Sequence, residues 1–271
     1  MERQFIGKLI AEKYRLDSLI KRNGITELYS ATHRLMDKPF AVKVLADPNV
    51  SETERDRFFA IAKAESAASS LGLPKVIDFG TDSNGIDHCV YEAISGETLR
   101  SVIEHDGQFP SHTVINIGRQ IAGALSSAHS AGLIHGDLSS ENILLSNKDD
   151  GSIAATIIGL GSDNPMLQDF GSMEPRDLAY LAPELCSGAE SGDERSDIYS
   201  VGVLLYEMIA GQPPFEGAKP TDVMLKHIEE MPAPLSAYRR DVPEGLEPII
   251  LKALAKDPEM RQASLAADVP N

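Results

Sequence analysis

HGDLSSENILL at 135–145, followed by AATIIGLG at 154–161, is the stretch on which the reading of this chain turns. A polar loop carrying Asp137 and Asn142 leads into the apolar run 143–145, and a second apolar run, ATII at 155–158, is closed by Gly159-Leu160-Gly161. Short apolar runs bounded by turn residues read as a pair of buried strands. Asp137 has two readings, as a turn aspartate satisfying neighbouring backbone N–H groups or as a carboxylate kept for chemistry. Gly159 ends its strand without offering a side chain. A literal Asp169-Phe170-Gly171 lies further on, behind PMLQ and not behind an apolar strand.

Outward from this stretch the two halves of the chain differ in pattern. Upstream, 27–31 and 40–45 are β-rich runs; Phe40, Val42 and Val44 alternate with Ala41, Lys43 and Leu45, so Lys43 shares a face with small and apolar neighbours. Ser51 with Glu54 makes a capping box for a helix expected to run to about Leu71, before Gly72. Two more strands, 75–80 and 88–93, are joined by the turn-rich TDSNG. After Ser95-Gly96 the period becomes helical, with Val114, Ile117, Ile121 and Leu125 in one helix and Val201, Leu205 and Met208 in another that ends at Gly211. A last helix around Ile249–Leu254 is stopped by Asp257-Pro258. The expected class is α+β, a bilobed chain with an antiparallel sheet plus one helix in residues 1–94 and a mainly helical lobe in residues 95–271.

Composition narrows the partners. With 41 acidic and 25 basic residues the formal charge is −16, which repels nucleic-acid backbones and anionic lipid surfaces. Neither nucleic acid nor membrane contact by this domain is expected. Cys89 and Cys186 lie far apart with no metal-like spacing, which suits a reducing compartment. The opening MERQFIGKLIAEKYRL has no apolar core of signal-peptide length, and no run of 18 apolar residues occurs, so a cytoplasmic location is expected.

The order of short motifs carries more than any one of them. FAVKVL at 40–45, VYEAISGETL at 90–99, HGDLSSEN at 135–142, LAPE at 181–184, SDIYSVGVLLYEMIAGQPPF at 196–215 and KDPEMR at 256–261 follow one another along nearly the whole chain. In that succession the chain resembles the bacterial-type (Hanks-type) Ser/Thr protein kinases. The resemblance implies that Lys43 grips nucleotide phosphates, that Ala41, Leu144 and Ile158 contact adenine with Glu92 in the hinge, that Asp137 orients the substrate hydroxyl and that Asn142 ligates magnesium. It also implies structural duties: a buried ion pair between Glu184 and Arg261, and Asp197 capping the central helix of the second lobe while bracing the loop at 135–142. The ending RQASLAADVPN falls about where such a domain's last helix begins, so a cytoplasmic domain of a longer protein is expected.

Several positions depart from the family's pattern. Lys21, Asn23 and Thr26 stand at the three positions of its glycine-rich turn, leaving Gly24 as a hairpin glycine. An ungapped count puts Ile61 where a helix glutamate pairs with the lysine, with Glu65 one turn later on the same face as a substitute. Gly136 replaces the arginine of the H-R-D motif, Ser139 the loop lysine, Gly159 the metal-binding aspartate and Asp177 the threonine that meets Asp137. Such a member reads as a pseudokinase: a regulatory or scaffold module with no metal site, requiring no cofactor, whose partner is another protein, an active kinase or a signalling assembly. Met224, Leu225 and His227 beside MPAPL are either a surface for that partner or part of a packed amphipathic helix. Ser162 and Ser172 are among the few phosphoacceptors of the activation-segment region. ATP held without magnesium by Lys21, Arg22 or Lys43 is a second reading, with Leu28 and Tyr91 filling the pocket as its opposite; a weakly active kinase is a third.

Overall fold

The computed structural model describes residues 5–47, 49–68, 70–161 and 174–262. Its first half is a six-stranded antiparallel sheet of strands β1 (Leu9–Ile10), β2 (Tyr14–Asn23), β3 (Thr26–His33), β4 (Lys38–Leu45), β5 (Val76–Thr81) and β6 (Asp87–Glu92), ordered β1-β2-β3-β4-β6-β5. Helix α1 (Glu52–Ala67) packs on it. Alternate residues face opposite ways along a strand. Val42, Val44 and Val90 therefore join Phe5, Leu16 and Tyr29 on one face, while Ala41, Leu45, Cys89 and Tyr91 meet Phe58 and Ala62 of α1 on the other.

The Ser51 hydroxyl and Glu54 close the expected capping box at the start of α1, and the helix stops at Ala67, a turn short of the expected Leu71. Tertiary contacts override its period there. The Gly72 carbonyl accepts the Ile157 N–H at 2.9 Å, and a Cβ on Gly72 would lie 2.9 Å from that of Ala124. The chain must leave the helix to reach the second half of the molecule.

That second half holds a three-stranded ladder of β7 (Glu97–Thr98), β8 (Ile143–Asn147) and β9 (Ile153–Ile157), with helices α2 (Leu99–Asp106), α3 (Ser111–Ser130), α4 (Pro183–Cys186), α5 (Glu194–Ala210), α6 (Pro220–Glu229) and α7 (Leu246–Ala253). The fold is α+β, a sheet with one helix followed by a mainly helical lobe. Every residue of α5 from Ser196 to Ala210 is buried, so this helix is covered on all sides and forms the axis of the lobe. Its N-cap is Asp193, whose carboxylate accepts the N–H groups of Arg195 and Ser196, and not Asp197 as the resemblance implied. Asp197 lies in the first turn with its carboxylate engaged elsewhere, as described below.

Glu184 and Arg261 form a bidentate pair at 2.8 and 2.7 Å, and Arg261 also donates to the carbonyls of Arg195 and Ala255. Burial raises the Glu184 carboxyl, but the bonds from Arg261 and Ser196 overcome it and hold the group below the ordinary carboxylate value. Of the two readings of His227, packing within the helix is the one the structure has, for its side chain is fully buried. It stacks near Tyr199 and Phe215, takes a 2.8 Å hydrogen bond with the Tyr199 hydroxyl, and its carbonyl accepts the Lys256 ammonium at 2.7 Å.

Arg261 has a side chain with no exposure, so Arg261→Ala strands the Glu184 carboxylate and is expected to cost roughly 3 kcal/mol in urea unfolding, the low end because Glu184 keeps 21% of its surface. An unchanged unfolding midpoint would remove the pair from the list of fold determinants. For His227, burial with Lys256 alongside pushes the imidazole down to about 3. A depressed folded value means that the unfolded chain takes up the proton first, so stability is complete above the ordinary value of 6.5 and is lost as pH falls below it. The slope reaches up to about 1.4 kcal/mol per pH unit. His227→Gln is expected to flatten unfolding free energy against pH between about 6.5 and 5 relative to the parent; identical slopes would contradict the buried, neutral imidazole.

Candidate functional site

The cleft between the lobes is built on a row of side chains across the sheet. Lys21 of β2 pairs with Leu28 of β3, Leu28 with Lys43 of β4, and Lys43 with Cys89 of β6. Residues in one row share a face. Two register shifts in β2, between Leu16 and Ser18 and between Leu19 and Lys21, re-aim the strand's end so that Lys21 turns into the cleft. Asn23 and Thr26 close the β2–β3 hairpin around Gly24, with the Thr26 hydroxyl donating to the Asn23 carbonyl at 3.0 Å. Arg22 turns away to pair with Glu27 at 2.8 Å.

Lys43 meets Glu65 of α1 at 3.5 Å, and the Tyr91 hydroxyl donates to the same carboxylate at 2.6 Å. The ungapped count that put Ile61 at the pairing position is therefore corrected: Glu65 holds that place. The stretch from the pairing residue to β5 is shorter than the ungapped count back from Asp78 assumes, which moves the pairing residue one helical turn toward β5. Ile61 instead packs against Gly161, where a Cβ would lie 2.9 Å from its Cδ1. The Lys43 ammonium also lies 5.5 Å from the centre of the Tyr91 ring.

Across the cleft, the loop at 135–142 is held by Asp197, which is 1% exposed. Its carboxylate accepts the N–H groups of His135 at 2.8 Å and Gly136 at 3.0 Å, and lies 2.8 Å from Nε2 of His129. Gly136 takes φ 77°, a left-handed conformation that side chains avoid, so a glycine at this position suits the turn. His135 accepts the Asp137 N–H on Nδ1 and lies 3.1 Å from the Ile158 carbonyl through Nε2. The proton is thereby assigned to Nε2, and burial holds the imidazole below its ordinary value.

Asn142 is fully buried; its Nδ2 donates to the Asp137 carbonyl at 2.5 Å and lies 3.3 Å from the Asp137 carboxylate. Its Oδ1 accepts the Lys21 ammonium, a bond from the first lobe to the second. Burial raises the Asp137 carboxyl, against the opposing pull of His135, Lys21 and Asn142, and the charge of Asp177 pushes it further the same way. Burial lowers the Lys21 ammonium, partly offset by Asp137 and Glu141. Asp177 and Ser139 line a shallow depression beside Asp137, and the Asp177 carboxylate accepts the Glu174 N–H at 2.8 Å. The Ser140 hydroxyl, the Tyr180 hydroxyl and the Glu207 carboxylate form a buried chain with 2.6 Å links.

Gly159 follows β9 at φ 84° and lines the cleft, while Leu160 is buried in the core of the second lobe. Asp169, Ser162 and Ser172 lie outside the described residues. A divalent magnesium wants near-octahedral oxygen ligands. Asn142 offers one side-chain oxygen, which already accepts Lys21, Gly159 offers no side-chain oxygen, and the described residues contain no group of three or more His, Cys, Asp or Glu able to hold a metal. Magnesium does not fit the described residues.

Of the positions assigned to nucleotide, Lys43 and Ile158 line the cavity and Ala41, Leu144 and Glu92 do not. Ala41 is buried opposite Tyr91 in the register and shares its cluster, and Glu92 is exposed and paired with Lys75 at 3.1 Å. The cavity runs instead under α1, past Tyr91, Phe58 and Ile61. The sequence reading missed the Lys21 to Asn142 bond and the seating of Tyr91 on Glu65. The alternation around Lys43 was the signal for the second; the first depended on the bulges in β2.

The protein kinase domain family matches residues 16–268. Serine/threonine-protein kinase pkn3 of Myxococcus xanthus is 33% identical over 278 residues, covering 97% of this chain and 50% of its own length. PrkC of Bacillus subtilis is 31% identical over 258 residues, covering 93% of this chain and 39% of its own. The chain thus spans half or less of the curated relatives it matches. Among solved structures, the Mycobacterium tuberculosis PknI kinase domain superposes with a TM-score of 0.71 at 24% identity, over 97% of this chain and 96% of that one. Rad53 1–466 in complex with AMP-PNP superposes at 0.74 and 24% identity, over 94% and 64%. At that identity the two structures speak to the fold alone. With the family pattern running from β2 to the end of the described residues, and bacterial serine/threonine kinases as its relatives, the chain belongs to the protein kinase family as a Ser/Thr-type kinase domain.

Proposed function

We propose that this domain is a regulatory module of kinase shape that carries out little or no magnesium-dependent phosphate transfer. One observation supports it above the others: the strand that should deliver a metal-binding carboxylate delivers Gly159, at φ 84° and facing the cleft. Phosphate transfer depends on charge neutralisation around the moving group, and each lost contact typically costs on the order of 10²–10³ in rate. Losses within one cooperating unit do not multiply, yet one metal ligand is enough to reduce turnover to a trace. Ser139 and Gly136 add no cation near Asp137, and Asp177 adds an anion. The proposed partner is another protein, an active kinase or a signalling assembly in the cytoplasm, and the domain acts on it by binding.

Weak or metal-independent transfer is the second reading, favoured by the intact Lys43–Glu65 pair and by Asp137 and Asn142 held together on a braced loop. Incubation of the purified domain with radiolabelled ATP and magnesium or manganese, alone and with a generic protein substrate, separates the two. Incorporation no higher than in Asp137→Ala supports the regulatory module. Incorporation abolished by Asp137→Ala overturns it, and loss in Asp169→Asn as well would make that aspartate the metal ligand.

A further inference from the structure

Lys21 and Lys43 stand on one face of the sheet with Leu28 between them, two strands apart, so their backbones are separated by about 10 Å. Both line the same cavity. Lys43 is committed to Glu65, whereas the Lys21 ammonium crosses to Oδ1 of Asn142, the oxygen that the family resemblance assigns to a metal. Asn142 is the one hydrogen-bond partner of that ammonium among the described residues, and an ammonium carries three N–H donors. Beyond that bond the ammonium has donors to offer an acceptor in the cleft. An ammonium also needs no octahedron of oxygens, which the described residues do not supply.

We propose that the Lys21 ammonium is a built-in cation standing in place of a divalent ion, so that the cleft takes the polyphosphate of a nucleotide in its metal-free form between Lys21 and Lys43. This rests on the reading of the domain as one without a metal site. Lys21 holds its position by bonding Asn142 and offers its remaining N–H groups to phosphate oxygens. Lys43, fixed by Glu65, receives the other end of the chain of phosphates. A magnesium ion bound to the same phosphates would bring its charge against that of Lys21, so added magnesium weakens the complex and does not strengthen it.

The experiment is a thermal melt of the domain with millimolar ATP, tripolyphosphate or adenosine, each in EDTA and in excess magnesium. A ligand that binds only the folded chain raises the midpoint. At about ten times Kd the rise should be roughly 3–5 °C for a domain of this size. The expected result is a rise with ATP in EDTA, a smaller rise with tripolyphosphate, none with adenosine, and no gain on adding magnesium. Lys21→Gln keeps a donor for Asn142 but not the charge, and should lose the rise in EDTA while Lys21→Arg keeps it. A rise seen only with magnesium, an equal rise with adenosine, a rise untouched or enlarged by Lys21→Gln, or no rise at all overturns the proposal. Calorimetric titration of the unmodified domain with ATP in EDTA gives the same decision if Lys21→Gln melts early, since absence of binding overturns it without any variant. Failure here leaves the regulatory reading standing, because that falls on phosphate transfer and not on a melting shift.

Discussion

The Asp197 carboxylate fixes the geometry on which the rest of this molecule depends. It is buried in the first turn of α5 and accepts two consecutive backbone N–H groups of the loop at 135–142, with His129 as a third neighbour. The N-terminal end of a helix favours negative charge, and the three donors replace the water that the carboxylate gave up. Because α5 is packed on every side, the loop inherits the position of the least movable element in the fold. Asp137 and Asn142 therefore have a fixed address whatever chemistry they perform.

From that anchor the order propagates to the end of β9. His135 spans from the Asp137 N–H to the Ile158 carbonyl, and the Ile158 N–H returns a bond to the Asn142 carbonyl at 2.9 Å. The residue after Ile158 is consequently delivered to the cleft by two hydrogen bonds and a buried strand. Gly159 has little room to shift, since Leu160 on its other side is locked in the core. What stands at this position is therefore presented to the cleft from a rigid place.

What was legible in the sequence follows the range of the forces involved. The alternation that placed Lys43 on the face with Ala41 and Leu45, the capping box at Ser51 and the glycine that ends α5 are local patterns, and the folded chain has them. The misplaced pairing at Ile61 came from counting along a segment whose length no pattern records. Two aspartates four residues apart, Asp193 and Asp197, both suit a helix start; only the loop docked against α5 decides that the first caps and the second braces. The sequence left His227 open between an exposed and a packed position because α6 is amphipathic by itself, and its burial comes from Lys256, Tyr199 and Phe215 outside that helix.

The scaffold and the chemistry of this fold are held by different residues. Glu184, Arg261, Asp197 and the whole of α5 meet other protein groups, so they stay under the demand of folding whether or not a phosphate is ever moved. The side chains that line the cleft answer to a different demand: Lys21 and Lys43 set the field that anything entering it meets. Lys43 is committed to Glu65 within its own lobe, whereas Lys21 reaches across to Oδ1 of Asn142. The bond from Lys21 to Asn142 therefore joins the two lobes through a side chain of β2, and the position of one lobe against the other is coupled to the cleft's own charge.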